Sequence, residues 1–299
     1  MTYRFILHTH THTHTHTHTH THTHTHTHTR THTLDQALIV GQSWKSSVDG
    51  IERIMTITAV NYAEGTFAGT YGMINSATDE LRGTFDKDGG NLVGWTISYR
   101  NSYVYGTQVW SGHFVDNQGT SQLAIESLSI RTGPGYNPAY IMSEYFVQAH
   151  ESGYATSVTN FSQRLSFHTV VPGQVWTNAQ KDVITILKVD SENGTFAGKF
   201  KRARDKTAGN EYNIRGELGK DGSSLGWSVI YIYEDSQNLD YRNCIVWCGH
   251  TNINPSSQKQ EISTMWLNTT EYKQLQNYIV TNVGFDKFVV KSNGTNSKI

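Results

Sequence analysis

Gly65-Thr-Phe-Ala-Gly69 returns unchanged as Gly194-Thr-Phe-Ala-Gly198, and the sequence around the two copies repeats as well. Gly41-Gln-Ser-Trp44 precedes the first copy and Gly173-Gln-Val-Trp176 the second. Downstream, Asp88-Gly-Gly-Asn-Leu-Val-Gly-Trp95 answers to Asp221-Gly-Ser-Ser-Leu-Gly-Trp227, and Trp110-Ser-Gly-His113 to Trp247-Cys-Gly-His250. The offsets are 132 residues for Trp44/Trp176, 129 for Gly65/Gly194, 132 for Trp95/Trp227 and 137 for Trp110/Trp247. Near-constant offsets that drift only with loop length predict one module duplicated in tandem. A period of that size is too long for a solenoid unit, so each copy is expected to have its own core.

The chain of 299 residues fits two such domains. A net charge of -1 and a charged fraction of 16% give no electrostatic case for nucleic acid or an anionic membrane. No apolar run reaches the length that spans a bilayer. Seven Trp, sixteen Tyr and eleven Phe supply bulky apolar surface, and 26 Gly against four Pro suits short strands and tight turns. Cys244 and Cys248 lie four residues apart on one strand, beyond disulfide reach of each other. Surface thiols or an intermolecular bridge remain open for them. Since they flank an inward Trp247, they are expected to be surface or interface residues rather than pocket groups. Asn-x-Ser/Thr sequons at Asn160, Asn193, Asn268 and Asn293 are compatible with a secreted glycoprotein.

Residues 8–33 alternate His and Thr, broken by Arg30, and hold twelve of the sixteen histidines. Clustered imidazoles on an extended tail chelate transition metals. A CA-dinucleotide microsatellite translates into the same alternation, and a single base change gives Arg30. Residues 1–36 are therefore set aside as a low-complexity segment, with no metal site or cofactor assigned.

From Ala37 onward the texture is all β. Strands are expected at Ala37–Trp44, Met55–Val60, Thr66–Tyr71, Leu81–Phe85, Trp95–Tyr99, Thr107–Trp110, Leu123–Ile130 and Tyr154–Leu165. The second copy repeats the series after Trp176. No segment shows helical periodicity, and turn signals recur at meander spacing. The expected fold is two tandem eight-stranded antiparallel up-and-down β-barrels, over residues 37–165 and 166–299, with a linker at 166–171. Closing eight strands removes the sheet edges and leaves room for one small ligand.

The ordered motifs Gly-x-x-Trp, Met55-Thr-Ile-Thr-Ala-Val-Asn61, Gly69-Thr-Tyr71, Gly94-Trp-Thr, Trp110-Ser-Gly, Thr264-Met-Trp-Leu267 and Val283-Gly-Phe-Asp286-Lys-Phe288 resemble the avidin and streptavidin family of biotin-binding proteins. The resemblance spans both modules. It implies eight-stranded up-and-down barrels, a ligand at the open end of a barrel, and pairing of barrels into tetramers. In the second module Asn178 stands where the family has an asparagine donor, and Asp286 where it has a ureido-facing aspartate. Trp247 and Trp266 stand at wall tryptophans, with Tyr231 replacing another. Phe200 replaces the family's tyrosine donor, Arg202 falls near its loop serine, and Asn243 and Ile245 replace Ser and Thr. In the first module Tyr71 keeps the tyrosine donor and Trp110 one wall, Tyr99 replaces a Trp, and Ser46 replaces the asparagine. Leu128 aligns with Trp266, Asn160 is the nearest counterpart of Asp286, and Gln108 fills a threonine position. Trp110 and Trp247 read equally as packing residues of a barrel interior, and Asp286 as a turn or surface aspartate.

These readings predict a secreted binder of biotin or a biotin-like small molecule, with the second barrel the better site. The alternative is an assembly protein that keeps the barrels and has lost the ligand. No Ser/His/Asp set or phosphate loop supports an enzyme. His113, His150, His168 and His250 are scattered, and His113 and His250 are expected as surface groups at strand ends.

Overall fold

A computed structural model describes residues 3–4, 38–48, 50–99, 106–116, 123–132, 141–149, 170–203, 210–219, 223–234, 240–272 and 278–291. All regular structure among them is β: β1 (Tyr3–Arg4), β2 (Ser43–Val48), β3 (Ile51–Asn61), β4 (Thr66–Met73), β5 (Asp79–Phe85), β6 (Leu92–Tyr99), β7 (Gly106–Asp116), β8 (Leu123–Thr132), β9 (Ile141–Ala149), β10 (Val175–Thr177), β11 (Val183–Asp190), β12 (Thr195–Lys201), β13 (Tyr212–Leu218), β14 (Ser224–Glu234), β15 (Asp240–Ile253), β16 (Gln260–Tyr272) and β17 (Tyr278–Val290). No helix among the described residues is long and apolar enough to cross a membrane.

Strands β2 to β9 form one closed antiparallel barrel, sealed where β2 meets β9 with Trp44 opposite Gln148 and Ser46 opposite Phe146. Strands β10 to β17 form a second antiparallel meander that curls on itself. Its last strand pairs along its length with β16, and at its far end with β10, where Trp176 faces Val290. The short β1 adds to the same edge of β17, Tyr3 facing Val283.

Alternation decides which side chains enter each core. Along β12, Phe196, Gly198 and Phe200 point inward while Lys199 and Lys201 face out. Both sheets carry a register irregularity at matching places, Ile57/Ala59 in β3 and Ile186/Lys188 in β11. Both stack a tryptophan pair from adjacent strands. Trp95 lies on Trp110 at 5.5 Å and 14°, and Trp227 on Trp247 at 5.5 Å and 16°. Phe146 and Phe288 meet Trp95 and Trp227 edge-on.

Several sequence expectations are corrected. The eighth strand of the first barrel is β9, not Tyr154–Leu165, which lies outside the described residues. Strand β9 follows a segment with Pro134, Pro138 and two glycines and has no clean period-2 pattern, so it reads as loop. The first strand is β2 rather than Ala37–Trp44, because Gly41 turns the chain at φ 89° just before it. Val170, assigned to the linker, is buried in the core of the second sheet.

A third apolar cluster joins the two units: Leu92 and Val109 from the first, and Cys244, Val246, Cys248, Leu267 and Val283 from the second. The cysteines are therefore interface residues rather than surface thiols, and both are buried with no disulfide. Register on the stacked tryptophans equates Gly94 with Gly226, Thr107 with Cys244, and Ser111 with Cys248. The contacts obey that equivalence. Thr107 meets the Cys248 thiol at 3.0 Å, and Ser111 donates to the Cys244 carbonyl at 2.9 Å. A Cβ on Gly94 would meet Val246 at 2.9 Å, and one on Gly226 would meet its counterpart Val109 at 2.8 Å. This is the self-complementary pattern of a two-fold interface, built within one chain. The symmetry is not complete: buried Arg242 ion-pairs with buried Asp86 and donates to the Asp88 carbonyl at 2.8 Å.

Candidate functional site

The two ends of the second sheet's interior differ in chemistry. At one end Val170, Trp176, Ile184, Ile186, Phe196 and Ile262 close the bowl around a void of only 10 Å³. That is room for about one water, so no ligand enters there. At the other end the inward positions turn polar, and the side chains expected from the sequence converge on it.

Asn178 directly follows β10 and lies across from Asp182, the two being joined by a turn in which Lys181 adopts φ 72°. The Asn178 Nδ2 donates to Asp286 Oδ2 at 2.8 Å and to Asp182 Oδ2 at 3.2 Å. Its Oδ1 accepts the Asp182 N–H at 2.8 Å, and Asp182 Oδ1 accepts the Ala203 N–H at 2.9 Å. Asp286 reaches this group from β17, held by the Lys287 N–H on Oδ1 at 3.0 Å and by Thr264, which donates to its carbonyl. Burial lifts the Asp286 carboxyl above the usual aspartate range, and the charge of Asp182 adds to the lift. The hydrogen bonds from Asn178 and Lys287 pull the other way without cancelling it.

An aromatic row adjoins this polar group. Phe200 lies between Tyr231 and Trp247, with ring centroids 6.0 and 5.5 Å away, and Tyr212 backs Tyr231 at 5.7 Å. Trp266 pairs in register with Trp247 and is half-buried, its ring so close over Gly284 that a side chain there has no room. Arg202 donates to the Tyr231 hydroxyl at 2.8 Å, its guanidinium carbon 5.1 Å from the ring centroid. Burial drives the Tyr231 phenol above its ordinary range despite the nearby guanidinium. All five second-module candidates, Asn178, Tyr231, Trp247, Trp266 and Asp286, thus belong to one inner face.

The first barrel gathers its candidates differently. Ser46, Tyr71 and Trp110 are buried, with Tyr71 and Trp110 in ring contact at 5.0 Å. The Tyr99 hydroxyl donates to Gln108 Oε1. Register corrects two alignments. Trp110 faces Ser129 as Trp247 faces Trp266, so Ser129, not Leu128, holds the second wall position. Ser127 faces Glu144 as Thr264 faces Asp286, so Glu144, not Asn160, holds the aspartate position. Asn160 lies outside the described residues. Arg53 faces Ser46 where Asp182 faces Asn178.

Sequence reasoning missed Asp182, because a turn residue has no periodic signal and only the pairing across that turn brings it to Asn178. His113, expected at the surface, is half-buried, and desolvation lowers its pKa to about 4. His250 is half-buried within β15, between Ser224 and Ser263 of the flanking strands. Among the described residues no group of three His, Cys, Asp or Glu is arranged to hold a metal ion.

Comparison with known proteins bears on the second half. No curated protein matches the chain. Solved structures that resemble it include rhizavidin, at 23% identity over 42% of this chain and 87% of that one, with a TM-score of 0.31. A rhizavidin–biotin complex is 21% identical over 42% of this chain and 99% of that one, with a TM-score of 0.33. A bradavidin2–biotin complex is 21% identical over 41% and 99% respectively, with a TM-score of 0.29. Residues 168–291, the stretch that holds the second sheet's polar end, match the Avidin family model.

Proposed function

We propose that this chain is a secreted, non-enzymatic binder of a small ureido-bearing molecule, biotin or a close relative, held at the polar end of the second barrel. The reading takes residues 166–299 as a complete second barrel, duplicated from the same ancestor as residues 37–165. The observation that carries it is the Asn178–Asp286 hydrogen bond of 2.8 Å on the inner face, beside Tyr231, Trp247 and Trp266. A cyclic urea needs donors for its oxygen, acceptors for its N–H groups, and apolar walls for its ring. Asn178 and Arg202 supply donors, Asp286 and Asp182 supply acceptors, and the aromatic row supplies the wall. A buried polar pair left unmatched costs about 1–3 kcal/mol, and this gives such a site its selectivity. Isothermal titration of biotin into the full chain is expected to give exothermic binding at one site per chain, lost in Asp286→Ala. No heat at millimolar ligand overturns the reading.

A second reading rests on its own observation. The polar groups at the second mouth already bond one another, Asn178 to both aspartates and Arg202 to Tyr231. A protein that uses its barrels for assembly has no need to keep those groups available. Discrete oligomers by light scattering, indifferent to biotin, are the outcome this reading expects.

A further inference from the structure

Of the four sequons, the structure separates two. Asn268 lies within β16, paired on both sides, with Ile245 in one neighbour and Asn282 in the other. The residue is half-buried with its Oδ1 wholly covered, in mid-strand rather than at an exposed turn. Asn193 has the opposite setting. It is exposed at the tip of the turn joining β11 and β12, and Gly194 beside it takes φ 59°. Asn160 and Asn293 lie outside the described residues.

The turn presents Asn193 in a fixed way. Its backbone N–H donates to Asp190 Oδ1 at 3.1 Å, and its Nδ2 to Asp190 Oδ2 at 2.8 Å. The Glu192 N–H shares Oδ1. These bonds hold the Asp190 carboxyl below its usual range. The matching turn of the first barrel is built alike, the Glu64 N–H donating to Asn61 Oδ1 at 3.2 Å. There the resemblance stops. Glu64 reaches across to the other unit, ion-pairing with Arg215 and accepting from Asn213 on its carbonyl at 3.3 Å. Asn193 occupies the equivalent position and carries no charge. Beside it a groove of 370 Å³ runs between the units, lined by Arg82, Lys188, Asp190, Thr195 and Arg215. Its volume falls within the range of about 300–1,000 Å³ that holds small ligands, and its lining offers donors and acceptors for hydroxyls.

We infer that Asn193 is the acceptor of an N-linked glycan, whose first sugar runs along the groove beside Thr195. The donor class is a polyprenyl-pyrophosphate-linked oligosaccharide. The Asn193 Nδ2 bonds to C1 of the reducing-end sugar, and the C1–O bond to pyrophosphate breaks. The pyrophosphate leaves with the bonding pair, and the amide sheds one proton. The product amide keeps one N–H, so its bond to Asp190 survives the modification. The modification is independent of any ligand at the barrel mouth.

The test places the full chain behind a cleavable secretion signal and translates it into microsomes, with a known acceptor as positive control. Wild type is expected to show a mass shift that peptide N-glycosidase removes. Asn193→Gln and Thr195→Ala should each lose one glycan, Thr195→Ser should retain it, and Asn268→Gln should lose none. An Asn193→Gln chain with the full wild-type complement, or an unmodified wild type beside a modified control, overturns the inference. Biotin titration of the glycosylated and enzymatically stripped chains should coincide, keeping this outcome separate from the ligand reading.

Discussion

Phe200 sits where a hydroxyl would be most useful. Its ring lies between Tyr231 and Trp247 on the inner face of the second sheet, and the equivalent position of the first barrel is Tyr71. Phe200→Tyr is therefore expected to tighten biotin binding. One added neutral hydrogen bond of about 1 kcal/mol corresponds to roughly five-fold in Kd by titration. An unchanged or weaker Kd would place the ligand's oxygen elsewhere. Asp286 sets the pH response of the same site. Its carboxyl, raised by burial, accepts ligand N–H groups most strongly when ionised, so affinity should be greatest above its raised pKa and fall as pH drops through it. Asp286→Asn, which keeps a carbonyl acceptor, should flatten that profile; a profile identical to wild type assigns the titration to another group. The thiols report on the interface in the same residue-by-residue way. Cys244 is fully buried and its pKa is pushed up to about 12, so neither attack by its thiolate nor entry of a reagent is favoured. A chromogenic disulfide at pH 8 should titrate no thiol in the native chain and two after denaturation.

Strands β6 and β14 show how an element's outer face is committed as firmly as its inner one. Gly94 and Gly226 admit side chains from the opposing unit, Cys244 and Val246 against the first, Thr96 and Val109 against the second. Gly94→Val should destabilise by about 1–3 kcal/mol through overpacking, measured by urea unfolding, with Gly226→Val giving a similar loss. A neutral result at both would mean the units separate without cost. His113 on β7 gives the element a pH signature. Its folded pKa of about 4 lies below the ordinary 6.5, so the unfolded chain binds the proton more readily. Stability from this group is full above about pH 6.5 and declines as pH falls toward 4, by about 3 kcal/mol at most. His113→Asn should remove that slope. At this scale the sequence was partly legible. The pentapeptide and the tryptophans marked β4, β12 and the stacked pairs because alternation and aromatic spacing survive in a bare string. Strand β9 did not, since Ile141–Ala149 mixes both faces. The bare sequence aligns Leu128 with Trp266, one residue from Ser129; such a slip exchanges the two faces of a strand, and only pairing to Trp110 fixes the register. Asp182 and Glu144 were hidden for the same reason: the residues they face are set by pairing, and composition carries no pairing.

At the scale of the whole chain, the question is whether two units joined by one linker behave as one body. The apolar cluster of Leu92, Val109, Val246, Leu267 and the two cysteines couples them. The Arg242–Asp86 pair comes from one side only, with side chains 5% and 2% exposed, and Asp86 also accepts the Asp88 N–H at 3.0 Å. An ion pair this deep gives little net stability, since desolvation offsets most of the attraction, but it penalises any arrangement that separates the partners. Removing one partner strands the other's charge, at a cost of about 3–5 kcal/mol. Calorimetry of the full chain is therefore expected to show a single transition, with calorimetric and van't Hoff enthalpies equal. Arg242→Leu should lower Tm and split the transition, because Asp86 then regains water only if the units part. Replacing both partners, Asp86→Leu with Arg242→Met, should restore most of the lost stability and the single transition. Two transitions in the unmodified chain, or a double variant as unstable as the single one, would mean that the interface does not bind the units into one cooperative body and that each folds on its own account.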